Sequence, residues 1–211
     1  MNKKEIAKKA IETLEKLYPE AICSLDFSEP YQLIIATRLA AQCTDARVNL
    51  VTPHLFSKYK SLKEFAVADV ADVEEIIRSC GFYKTKAKDI CEMAKILIEK
   101  YDGVLPDTVE ELIKLPGVGR KTANLIVGDI YKKPAIVCDT HCIRISGLLG
   151  LTTTKNPLKT EMELLEILPP EKSNDFCHRL VLHGRAVCKA RTPNCKECEL
   201  SSFCEYGKKQ K

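Results

Sequence analysis

No apolar stretch in these 211 residues approaches the ~20 needed to span a bilayer, and no secretory leader is visible. Lys3, Lys4, Lys8 and Lys9 crowd the N-terminus, but charged residues recur throughout the next segment. The expectation is a cytoplasmic chain, associated with the nucleoid if its source is prokaryotic, with no membrane partner. Internal repeats and low-complexity linkers are also missing. Strong charge of one sign is lacking as well: 33 Lys and Arg against 29 Asp and Glu leave a formal net charge of +4. The sequence pI of about 8.4 falls below the roughly 9 that would by itself signal a nucleic-acid partner. Charge permits a polyanion and decides nothing.

What is present begins with a hydrophobic fraction of 45%, ample for a buried interior. There are 11 cysteines. An odd number cannot all pair within one chain, and a reducing compartment disfavours structural disulfides. Seven of them (Cys23, Cys43, Cys80, Cys91, Cys138, Cys142 and Cys177) are scattered, mostly among apolar neighbours, where a free thiol behaves as a small hydrophobe. The other four crowd into the last 24 residues and ask for a separate cause.

Alternating strand patterns are scarce, although Pro134 to Cys138 is a short β-prone run. Helical periodicity dominates. Ile6, Ala10, Leu14, Leu17 and Tyr18 form one apolar face, stopped by Pro19; Ile90, Ala94, Leu97, Ile98 and Tyr101 form another. Ser61 with Glu64 and Thr108 with Glu111 read as capping boxes. Gly81 stands where a C-terminal glycine would end a helix. The pattern predicts an all-α fold of about ten helices, with a frayed tail over Gly207 to Lys211.

Three constellations carry chemistry. The first is Leu115-Pro116-Gly117-Val118-Gly119-Arg120-Lys121-Thr122-Ala123, between a short helix over 109–114 and a longer one over 120–131. A Walker A loop would need glycine at position 114, which is Lys; a dinucleotide fingerprint would need it at 122, which is Thr. Two glycines two apart allow a tight turn that turns backbone N–H groups outward beside a helix N-terminus, where a phosphate can sit. The bland alternative is a turn between packed helices. Lys121 weighs against it, because a cation in the first turn of a helix opposes the dipole and local rules tend to break at functional sites. The same dipole favours the neutral amine, the form that attacks electrophiles. A solvated lysine remains the plain reading.

The second constellation is Asp139-Thr140-His141 behind the apolar Ile136-Val137-Cys138. Asp139 suits an N-cap. A carboxylate held there could also move protons or stabilise positive charge on a sugar. The third is Cys188, Cys195, Cys198 and Cys204, spaced Cys-x6-Cys-x2-Cys-x5-Cys. Four thiolates so close in sequence can surround a metal centre, either zinc or an iron–sulfur cluster. Between the first two lie Lys189 and Arg191, cations that a rigid loop could offer to phosphates.

Taken together and in this order, these motifs resemble the endonuclease III family of DNA glycosylases with a helix-hairpin-helix, over nearly the whole chain. The 115–123 segment resembles the family's hairpin, with Lys121 at the nucleophile position. Val137-Cys138-Asp139-Thr140-His141 resembles its aspartate motif, and the cysteine spacing resembles that of its [4Fe–4S] cluster. Ala41-Gln42-Cys43-Thr44-Asp45 resembles the segment that fills the gap left by a flipped base. Gly81-Phe82-Tyr83-Lys84-Thr85-Lys86-Ala87 resembles the wedge loop. The family's wedge is often Leu where this chain has Phe82, which implies wedging with altered preference.

The resemblance implies two helical domains flanking a DNA-binding cleft. Residues 22–133 would form a central domain with the hairpin, and 1–21 plus 134–211 a discontinuous cluster domain. It implies base-excision repair of oxidised pyrimidines with AP lyase activity. Lys121 and Asp139 would be catalytic; Gln42, Phe82, Gly117, Gly119, Lys189 and Arg191 would bind DNA; the four late cysteines would hold the cluster. The partner would be double-stranded DNA carrying damaged pyrimidines or abasic sites, and the enzyme a monomer. Related adenine glycosylases lack the lysine and carry a long additional C-terminal domain; Lys121, and a chain that ends just after the cysteines, favour the bifunctional enzyme. Two rivals stand beside this reading: a non-catalytic helix-hairpin-helix module, and a zinc-binding interaction domain.

Overall fold

The computed structural model describes residues 1–20 and 22–210. Among them there are twelve α-helices, two 3-10 turns and no strand. The α-helices are α1 (Lys3–Leu17), α2 (Pro30–Ala40), α3 (Asp45–Lys58), α4 (Leu62–Ala66), α5 (Val70–Ile77), α6 (Tyr83–Tyr101), α7 (Val109–Leu112), α8 (Arg120–Asp129), α9 (Thr140–Leu149), α10 (Pro157–Ile167), α11 (Ser173–Ala186) and α12 (Glu205–Lys208). The 3-10 turns span Arg78–Cys80 and Pro170–Lys172. No described helix is long and apolar enough to cross a membrane.

The chain divides into two compact units. Cys23–Tyr131 is continuous; Met1–Ile22 joins Lys132–Lys211 to make the other. In the continuous unit α6 is the central helix, with α4 and α5 packed along it and α2 against α3 and α8. Its buried face carries Ile90, Cys91, Met93, Ala94 and Leu97. Phe65 of α4 is fully buried and meets Tyr31, Phe56 and Tyr59 at ring-centroid distances of 5.0 to 6.4 Å. In the other unit α11 packs on α1 and α9, and α12 closes on α9. The α1 face buries Ile6, Ala7, Ala10, Ile11 and Leu14.

Four local expectations are corrected. The Pro134–Cys138 run is buried over Ala135–Cys138 but pairs with no strand. Its N–H groups find other acceptors: Ala135 donates to Ser173 Oγ of α11 and Cys138 to Ile136 O, while Asp139 just beyond the run donates to Val137 O. Each capping box is half made. Ser61 and Thr108 accept from Glu64 N and Glu111 N. Glu64, however, takes Lys60 N, and Glu111 takes the Tyr101 hydroxyl and Lys114. A full box closes at Asn2 and Glu5 instead. Finally, Gly207 and Lys208 belong to α12 rather than to a frayed tail, and Gly207 is buried against the Ser201 backbone. Lys211 lies outside the described residues.

Truncating Phe65 removes a whole ring from a site with no solvent access. Phe65→Ala is expected to lower unfolding free energy by about 3–5 kcal/mol, read from the midpoint of urea denaturation at unchanged slope.

Candidate active site and cysteine loop

The hairpin is built as its glycines require. Gly117 has φ +71°, the left-handed region that an L side chain resists. A Cβ there would stand 2.4 Å from Arg38 Nε and 2.8 Å from Asp89 Oδ2. Those two atoms cannot retreat freely, because Arg38 and Asp89 are paired behind the loop, Nε to Oδ2 at 2.8 Å and an outer guanidinium nitrogen to the same oxygen at 2.6 Å. Gly119 is the N-cap of α8 and offers no side chain to its first turn. That turn therefore has no side-chain cap, and a helix start of this kind suits a phosphate. Gly117, Gly119, Arg120 and Lys121 are not buried, and Lys121 is the second residue of α8. Cys23, pushed up to about 11 chiefly by burial, also feels the charges of Asp129, Asp45 and Lys121, so these groups share one neighbourhood.

Gln42 and Phe82 belong to the same unit and share an unusual backbone. Both lie in the left-handed region, at φ 55° and 47°. For non-glycine residues such conformations cost about 1–3 kcal/mol each and persist only where the surroundings impose them. Gln42 comes just after the end of α2; Phe82 caps the start of α6 and is 65% exposed. A large apolar ring held out into water against its own backbone preference is a feature that stability alone does not explain.

Asp139 lies in the other unit. It is the N-cap of α9, and its Oδ1 accepts from Cys142 N at 2.7 Å. The second carboxylate oxygen is the one available for further work. Cys142 is buried with its Sγ 3.9 Å from Cys177 Sγ, consistent with packing.

Cys188, Cys195, Cys198 and Cys204 come after α11 and line one cavity, together with His183 and Leu148. All four are free thiols of intermediate burial. The Arg144 guanidinium, projecting from α9, donates to Cys188 Sγ at 3.4 Å and to Cys188 O at 2.7 Å. His183 Nε2 lies 3.5 Å from Cys198 Sγ while its Nδ1 lies 3.3 Å from the Tyr18 hydroxyl. Burial, and secondarily Arg144, push its pKa down to about 4, so the ring is neutral at physiological pH. The loop after Cys188 closes on itself, Lys189 N and Asn194 N both donating to Val187 O, and it presents Lys189 and Arg191 to solvent.

Four thiolates can hold either a zinc ion or an iron–sulfur cluster. A tetrahedral zinc ion needs every thiolate about 2.3 Å from one centre. An iron–sulfur cluster takes one thiolate per iron, so its ligands stand apart around a body of several atoms. Four thiols around a shared cavity fit that arrangement.

The exposed groups carried sequence motifs; their supports did not. Arg38 and Asp89 behind Gly117, and Arg144 and His183 beside the cysteines, are each a lone polar residue in a helical pattern, and only the fold reveals their partners.

The model of the HhH-GPD superfamily of base excision DNA repair proteins matches residues 35–170. Endonuclease III of Synechocystis sp. is 44% identical over 204 residues, covering 96% of this chain and 93% of its own. Endonuclease III of Bacillus subtilis is 42% identical over 201 residues, with coverage of 95% and 92%. Among solved structures, a trapped covalent intermediate of an endonuclease III with DNA superposes at a TM-score of 0.92 with 41% identity, over 100% of this chain and 99% of that one.

The two hairpin glycines separate by substitution. Gly117→Ala should lose at least about 1–2 kcal/mol of unfolding free energy from the left-handed backbone alone, with more from the Arg38 clash. Gly119→Ala meets nothing within 4 Å of its new Cβ and should lose less than about 1 kcal/mol. Parallel urea titrations check the order.

Proposed function

This chain belongs to the endonuclease III family of the HhH-GPD superfamily of base excision DNA repair proteins, and from that premise we propose that it excises oxidised pyrimidines from duplex DNA with Lys121 as nucleophile. It is a DNA glycosylase with AP lyase activity. The observation that carries the assignment of roles is Lys121, exposed in the first turn of α8 and two residues after an N-cap glycine that supplies no side-chain cap.

Backbone N–H groups at Gly117 and Gly119 hold a phosphate of the strand, and Lys189 and Arg191 hold others. The target nucleotide leaves the stack, a step that costs a few kcal/mol and less for a damaged base. Gln42 and Phe82 occupy the space left in the duplex. The neutral amine of Lys121 attacks C1′ and the base departs with the glycosidic electron pair, to be protonated. Asp139 stabilises positive charge developing at the sugar and accepts a proton from the ammonium that the attack creates. Cleavage of the C1′–O4′ bond then opens the ring: O4′ leaves with the electron pair and takes a proton, and the lysine nitrogen and C1′ form an iminium. That iminium acidifies the C2′ proton, whose removal expels the 3′ phosphate by β-elimination. The Schiff base then hydrolyses and frees Lys121. A covalent endonuclease III–DNA intermediate among the structural relatives supports this chemistry.

Cys188, Cys195, Cys198 and Cys204 would hold a [4Fe–4S] cluster, with Arg144 and His183 contacting two of the sulfurs. Its contribution here is structural order in the loop that carries Lys189 and Arg191.

Borohydride reduces a Schiff base to a stable protein–DNA adduct. On a duplex with one thymine glycol, wild type is expected to trap and Lys121→Gln to leave no adduct. Base release by wild type with no adduct would make the enzyme monofunctional and Lys121 a phosphate ligand. For the cysteine loop, the purified protein is expected to be brown with broad absorption near 400 nm. Cys198→Ala should lose that absorption and weaken DNA binding; full affinity and stability in that variant would remove the structural assignment.

A further inference from the structure

Lys86 is the one lysine buried among the described residues, with 1% of its surface exposed. A buried ammonium requires strong hydrogen-bond partners. Its Nζ donates to Leu39 O at 2.7 Å and to Cys80 O at 2.9 Å. Leu39 lies in the last turn of α2, and Cys80 ends the 3-10 turn before α6. Both carbonyls belong to helix ends, where orphan acceptors and the negative pole of the dipole coincide. One cation therefore joins two C-termini.

The residues just beyond the two C-termini give the arrangement its meaning. Gln42 comes three residues after Leu39, and Phe82 comes two residues after Cys80. Both are held in left-handed backbone conformations, which Asp102 and Lys132 also adopt, and both are assigned to the gap in the duplex. Lys86 also donates its own backbone N–H to Phe82 O at 3.0 Å. It thus ties together the approaches to both loops with its side chain and touches the wedge residue with its main chain. Direct chemistry on DNA is ruled out by its burial and by its inward-facing ammonium.

We propose that Lys86 is a positioning residue for void filling: it sets the spacing and orientation of the Gln42 and Phe82 loops, so that both enter the duplex as one unit. The proposal rests on the reading of Gln42 and Phe82 as gap-filling residues. Removing the ammonium frees two helix-end carbonyls from a common partner, and the two strained loops then lose their fixed separation. Misplacement of this kind affects steps that evict and replace a base. It spares attack by Lys121 on a substrate that has no partner strand.

The test compares two substrates. One is a duplex with thymine glycol opposite adenine, and the other is a single-stranded oligonucleotide with one abasic site, assayed by borohydride trapping. Lys86→Met keeps the length and removes the donors. It is expected to lower kcat/KM on the duplex by about ten- to a hundredfold while single-strand trapping stays within about twofold of wild type. Lys86→Gln retains an amide donor and should recover part of the duplex rate; it carries the comparison if Lys86→Met melts below the assay temperature. In a Gln42→Ala/Phe82→Ala background, Lys86→Met should add less than about threefold on the duplex, because the three residues act together. Equal losses on both substrates, or full additivity in that background, would reduce Lys86 to a fold-stabilising residue and overturn the proposal. If Gln42→Ala and Phe82→Ala themselves show no duplex-specific loss, the void-filling reading falls and takes the proposal with it.

Discussion

A helix leaves its first N–H groups and its last C=O groups without partners inside the helix. In a protein whose described residues are helices and loops alone, every such end must find something else to bond. That obligation organises this structure. Lys121 is the second residue after an N-cap that supplies no side chain, Asp139 is itself an N-cap, and Phe82 caps α6 from a left-handed backbone. Gln42 stands just past a C-terminus, and Cys204 caps α12. The groups assigned to chemistry and recognition are concentrated where the helices stop, because there the backbone still has hydrogen-bonding capacity and dipole to offer an outside partner.

Behind these exposed ends stand buried or half-buried polar residues that carry no chemistry of their own. Arg38 and Asp89 form a wall that admits only glycine at position 117. Arg144 joins the helix that Asp139 begins to the main chain and sulfur of Cys188. Lys86 joins two carbonyls from different segments. An ion or hydrogen-bond network in the interior adds little net stability compared with apolar packing. It does fix direction, since each bond is satisfied in one arrangement only. The apolar cores around Phe65 and along α1 and α6 supply the stability, and these polar contacts aim the loops.

Much of this was legible in the linear chain. The 3.6-residue periodicity of Ile6, Ala10 and Leu14, and of Ile90, Ala94 and Leu97, marked the buried faces of α1 and α6, because burial and helical repeat are the same pattern seen twice. The doublet of glycines marked the hairpin, since only glycine tolerates a φ of +71° with Arg38 pressed against it. Less legible was anything that depended on competition between partners. Glu64 and Glu111 satisfy the capping-box spacing yet bond elsewhere, because a nearby N–H or phenol hydroxyl offered a better partner in three dimensions. The Pro134–Cys138 run has strand composition, but no strand among the described residues is there to receive it.

The sequence by itself determined the fold class, the positions of the turns, and the identity of the reactive candidates, because periodicity, glycine and thiol spacing are local properties. Tertiary structure alone decided which residues hold those candidates in place. Lys86 lies 47 residues from Leu39 and Arg38 lies 51 from Asp89 in the chain. A hydrogen bond between residues so far apart is invisible until packing has brought them together, since nothing in the local sequence constrains where a buried cation will find its acceptors.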